Sequence, residues 1–145
     1  MDGEDIMTHV IRVRKSQLAY FGRYAHAAAP LEVSAYLVGV AVSPELTVVN
    51  YFAYTRKYHR QGPEDIEWTD AEFKRVKRLG EKRGLAVLGD IHSHPDYWPV
   101  LSPTDHSNHI TAQHRVSAVF AWIGRKSVAC FWTADSALPL QIEYL

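Results

Sequence analysis

Residues 33–54 read VSAYLVGVAVSPELTVVNYFAY, two long runs of β-branched and aromatic residues with Ser43 and Pro44 between them. Side chains of that kind suit a pleated, half-buried surface, and so short a connection lets the two runs pair as a hairpin. The chain must therefore build a sheet, and this hairpin belongs in its central part.

The flanking segments say what covers that sheet. HVIRVRK alternates apolar and basic residues, as an edge strand would, and SQLAYFGRYAHAAA follows with helical spacing behind a Ser16 cap. WTDAEFKRVKRLGEKRG opens on a capping box from Thr69 to Glu72, sets Phe73, Val76 and Leu79 on one stripe, and stops at Gly84. Its lysines and arginines read as the solvated face of an amphipathic helix. LAVLGDIH is a buried strand, and VSAVFAWIG, SVACFWTA and the C-terminal LQIEY supply three more. The segment RKYHRQGPEDIEW, with Gly62 and Pro63 and no period, is a surface loop. Strands and helices in this mixed order predict an α/β or α+β arrangement of layers, in one domain over residues 1–145.

Composition removes several functions. Sixteen basic and sixteen acidic residues cancel, so the basic footprint that grips a nucleic-acid backbone is missing. No stretch approaches the roughly 20 apolar residues that span a bilayer, and the N-terminal MDGEDIMTHVIRVRK lacks the apolar core of a leader, so a cytoplasmic protein is expected. The one cysteine, Cys130, lies in the apolar run SVACFW and reads as a small buried residue.

The chemistry concentrates in IHSHPDYWPVLSPTDHSNH, residues 91–109, which holds four of the eight histidines. On a strand, residues i and i+2 project from one face about 6.6 Å apart, so His92 and His94 can converge on one ion where Pro95 ends the ladder. Beyond DYWPVL, Ser102 is a natural N-cap, Pro103 fits the first helical position, and Asp105 falls in the first turn. Two imidazoles and a carboxylate suit a tetrahedral Zn²⁺ with its fourth position left for water, which is a catalytic rather than a structural arrangement. Read singly, the fragments are ordinary: H-x-H occurs on surface strands, and S-P-T-D starts helices without chemistry. His106 and His109 follow Asp105 closely enough to replace a ligand or assist the metal, while His9, His26, His59 and His114 are isolated and read as surface positions. Hydrolysis also needs a general base, for which Glu32, at the edge of an apolar strand, competes with Asp90 and Asp96.

The spacing His92-Ser93-His94-Pro95, six residues, then Ser102-Pro103-Thr104-Asp105 resembles the metal-binding signature of the JAMM, or MPN+, zinc metalloproteases. PLEVSAYLVG resembles the family segment in which a glutamate precedes a run of small residues and leucine ending in glycine. The resemblance covers about residues 9–135. It implies the cytidine-deaminase-like MPN/JAB1 fold, a mixed central sheet flanked by helices. It also implies one zinc per chain held by His92, His94 and Asp105, with Glu32 as the proton acceptor and Ser102 steadying the oxyanion. Ala35 stands where many members have glycine, and Asp90 where an aromatic often precedes the motif. The motif helix runs through His114 straight into VSAVF, leaving no room for the long insertion of ubiquitin-specific eukaryotic members, so a compact prokaryotic or phage-type member is expected.

The activity this implies is an isopeptidase or peptidase cutting after the C-terminal glycine of a ubiquitin-like protein, to deconjugate it or to mature a precursor. Its extended tail would add as a strand beside an exposed edge. Tyr97 and Trp98, between the zinc ligands, and the loop Arg56–Glu67 are placed to flank the cleft and bind substrate, with packing of Trp98 against the domain as the competing reading. Two other functions compete: a non-catalytic MPN scaffold that binds partner proteins, and a zinc hydrolase of a small molecule. Oligomeric state and the identity of the substrate are not legible in these residues.

Overall fold

The computed structural model of the chain describes residues 9–54, 70–95, 114–133 and 138–145. The elements run β1 (Val10–Val13), α1 (Lys15–Ala28), β2 (Ser34–Ser43), β3 (Leu46–Tyr54), α2 (Asp70–Glu81), β4 (Ala86–Pro95), β5 (Val116–Ile123), β6 (Lys126–Trp132) and β7 (Gln141–Tyr144). The strands form one sheet in the order β6-β5-β4-β2-β3-β1-β7. It is a mixed sheet: β2 runs antiparallel to β3 and β4, β4 parallel to β5, and β1 parallel to both β3 and β7. The expected α/β class with a central mixed sheet is the one the chain adopts.

Each helix takes one face. From α1, Leu18, Phe21 and Ala25 enter the main core with Ile11, Leu37, Ile91 and Phe120. Phe21 meets Phe52 and Phe120 edge-on, with centroids 6.1 and 6.0 Å apart. On the opposite face, Val76 of α2 packs with Tyr36 and Val38, joined by Phe73 and Leu85. The period of two in β2 explains this division, since Ala35 and Leu37 point to α1 while Tyr36 and Val38 point to α2.

The hairpin forms as its sequence predicts, with β2 and β3 paired antiparallel from Ser43↔Leu46 outward to Ala35↔Tyr54. The end of α2 also follows its chemistry. Gly84 takes φ of 72°, and Leu85 N–H donates back to the Gly80 carbonyl at 2.9 Å, closing the last turn as a left-handed residue allows.

Three local expectations are corrected. β1 is not an edge strand, because β7 returns to pair alongside it and takes the edge instead. Helix α1 starts at Lys15 with Arg14 as N-cap, so Ser16 falls inside the first turn. Leu79 is exposed; the α2 stripe runs through Phe73 and Val76 to Gly80, whose bare Cα admits Val38. Pro95 ends the strand as expected: it is the last residue of β4 and its last partner in β5 is Trp122. Cys130 is half-buried against Val119, Ala121 and Trp132, and burial pushes its thiol pKa up. Among the described residues, no helix is long and apolar enough to cross a membrane. The capping residue Thr69 and the loop of residues 56–67 lie outside the described residues.

Candidate metal centre

β4 is the most enclosed strand of the site, buried from Leu88 to Pro95 and flanked by β2 and β5. Its alternation sends Ile91 into the α1 core and His92 and His94 to the other face. The two imidazole rings stand with centroids 5.0 Å apart at 63°, and each residue is 6% exposed.

Pairing brings in the carboxylate. Ser34 of β2 lies opposite His92, and continuing that antiparallel register outward sets Glu32 across from His94. Glu32, His92 and His94 each offer one ligand atom, and these atoms all lie within 4.8 Å of one another. Glu32 is half-buried, so the cluster is enclosed on its histidine side and more open on its carboxylate side.

Ser93 fixes the spacing. It projects from β4 to the face opposite the histidines, its N–H donates to the Val33 carbonyl at 2.9 Å, and its hydroxyl accepts the Val33 N–H at 2.9 Å. Residue 33, next to Glu32, is thus tied twice to the residue between the two histidines. Ser93→Ala would strand a buried N–H, so a loss of roughly 1–3 kcal/mol is expected in a denaturant melt, with Ser93→Thr restoring most of it.

A second carboxylate stands behind the histidines. Asp90, nearly buried, places one oxygen 3.4 Å from His92 Nδ1 and the other 3.1 Å from His114 Nδ1. Burial opposes its charge, but hydrogen bonds from His114 and His92 and their positive character outweigh that and lower its pKa to about 2. Tyr36, its cross-strand partner, has its phenol pKa pushed up by burial and by the Glu72 and Asp90 charges, and stays protonated. Asp90 is therefore committed to two histidines and is a poor candidate for the base.

The donor set fits a metal: two buried imidazoles and a carboxylate are the borderline and hard ligands that Zn²⁺ accepts. Of the residues expected in the site, Glu32, His92 and His94 are brought together. Ser102, Asp105, Tyr97 and Trp98, with His106 and His109, lie outside the described residues. Two histidines read as isolated surface positions prove otherwise: His114 holds Asp90, and His9 Nε2 lies 2.9 Å from the Thr47 hydroxyl. His26 is exposed, as expected, with its ring 4.0 Å from that of Trp122; His59 lies outside the described residues. The alternation placing Asp90 on the face of His92 was legible in the sequence, whereas the parallel pairing that brings His114 beside them was not.

Comparison with known proteins gives the same outline. A family model described as prokaryotic homologs of the JAB domain matches residues 14–135. The crystal structure of a JAB1/MPN domain protein from Archaeoglobus fulgidus is similar at a TM-score of 0.59 and 14% identity, over 96% of this chain and 98% of that one. The solution structure of a protein from Desulfitobacterium hafniense gives 0.60 and 17%, over 93% and 92%. At such identities the likeness shows the fold. No curated protein matches.

Proposed function

The chain belongs to the family of prokaryotic JAB-domain homologs, and from that premise we propose that it is a zinc-dependent peptidase or isopeptidase acting after the C-terminal glycine of a ubiquitin-like protein. The observation that carries this reading is the convergence of Glu32, His92 and His94, on two paired strands, within the reach of a single ion.

In this proposal His92 and His94 hold the zinc, with Asp105 completing the ligand set. When bound, zinc would bring the pKa of water down to about 7 and polarise the scissile carbonyl. Glu32 takes the proton from the attacking water and returns it to the departing amine. Its half-buried position beside the histidines supports that role, because a base must stand within hydrogen-bond reach of the water it activates. Ser102 steadies the oxyanion, and Tyr97 and Trp98 meet the substrate. An extended glycine-rich tail offers few side chains, so backbone pairing with a strand edge would hold it.

The direct test is to incubate the purified chain with ubiquitin-like proteins carrying a peptide or a lysine-linked extension after the terminal glycine, with and without a zinc chelator. Chelator-sensitive release of the extension is expected. A zinc-loaded chain that leaves every such bond intact would turn the reading toward a scaffold or a small-molecule hydrolase.

Acid should empty the site. From about pH 7.5 to about pH 5 bound zinc should fall steeply, because imidazoles must be neutral to bind a metal and acid competes for them. Asp90 does not drive that loss. Its lowered pKa gives stability that is present above the unfolded value of 3.8 and is lost only as the pH falls through about 2. Zinc analysis across that range checks the expectation, and retention at pH 5 would count against histidine ligation.

A further inference from the structure

We propose that Asp90 and His114 form a positioning relay that locks His92 in its Nδ1–H tautomer and thereby aims Nε2 at the metal. The proposal rests on the metal-site reading above and extends it to two residues outside the ligand set.

The geometry is that of one carboxylate bridging two rings. Asp90 Oδ1 is 3.1 Å from His114 Nδ1, and Oδ2 is 3.4 Å from His92 Nδ1, a contact at the long end of hydrogen bonding. An ionised carboxylate only accepts, so each ring must carry its proton on Nδ1 to meet it. A neutral imidazole has one N–H, which puts the lone pair of His92 on Nε2, a buried atom. Metal-ligating histidines are commonly oriented in this way by an outer carboxylate.

The backbone makes the bridge possible. Asp90 shares the face of His92 because they are two residues apart on β4, and β5 arrives in parallel with Gly89 opposite Val116. Arg115 N–H donates to the Leu88 carbonyl at 2.8 Å, which docks the start of β5 and carries His114 over Asp90. Gly89 permits that approach, since a Cβ there would lie 1.6 Å from the Val116 carbonyl oxygen and 3.4 Å from the His114 Cβ. His114 in turn occupies one Asp90 oxygen and leaves the other directed at His92.

Nitrogen-resolved imidazole NMR of the metal-free wild-type chain near neutral pH tests the relay without any substitution. His92 should be found as the Nδ1–H tautomer, and an Nε2–H signal would overturn the proposal. Asp90→Asn should then turn His92 into a tautomer mixture and weaken zinc binding by about 10–100-fold in a competition titration. His114→Ala should weaken it by a smaller factor. A folded Asp90→Asn chain with unaltered tautomer and Kd would also overturn it. If Asp90→Asn does not fold, the wild-type tautomer and the response of His114→Ala decide. Should the wild-type chain bind no zinc, the metal-site reading fails by itself, and an Nδ1–H signal lost on Asp90→Asn would still uphold the relay.

Discussion

Glu32→Gln should slow hydrolysis by about 10²–10⁴-fold while the zinc content stays near that of the wild type. The amide keeps the shape of the side chain and the backbone ties of Val33 to Ser93, but it cannot accept a proton. The prediction also separates two roles that the geometry alone allows. Its ligand atom lies within 4.8 Å of those of both histidines, close enough for Glu32 either to touch an ion or to serve water beside it. A base loses rate and keeps metal; a ligand loses both. Parallel zinc and rate measurements on the variant read the difference, and unchanged turnover would move the base elsewhere.

His92→Ala should remove nearly all the zinc, and the activity with it. The substitution deletes one of two imidazole ligands and leaves a void in a strand buried on both sides. It also removes one of the two donors that sustain the Asp90 charge. Asp105→Ala should lower occupancy sharply as well, by taking away the expected third ligand. Elemental analysis of each purified variant checks both, and full retention of zinc in the pair would end the assignment. His92→Ala should further cost stability, because Asp90 is left buried with one partner fewer.

The elements were legible where a local pattern decided them. The β-branched runs of β2 and β3, the amphipathic spacing of α2 and the i, i+2 placement of His92 and His94 each depend on neighbours in sequence, and each came out as expected. What escaped depends on pairing between distant strands. Nothing in HVIRVRK says that residues 141–144 will return to cover it, so β1 read as an edge. Ser93 carries no local signal of its role, which exists only because the β2–β4 register sets it against Val33. Asp90 and His114 looked unrelated because only the parallel β4–β5 register joins them. Leu79 failed for a different reason: at Gly80 the bare backbone packs against Val38, and the neighbouring leucine is turned outward.

The distribution of the cluster over β2 and β4 bears on how the chain reaches its native state. Glu32 and the two histidines are about sixty residues apart in sequence and meet only once the strands have paired. Closing so long a loop costs entropy before any contact repays it, so Glu32 joins the histidines only in a chain whose β2 and β4 have paired. The pairing of the strands, and not an ion, is what brings this carboxylate to the imidazoles. An ion that binds the finished cluster and not the unfolded chain would stabilise the fold by mass action, about 4 kcal/mol at a thousandfold excess over its Kd. In the proposed reading, the paired strands hold base and imidazoles together as a feature of the folded sheet, ready for the ion before it arrives.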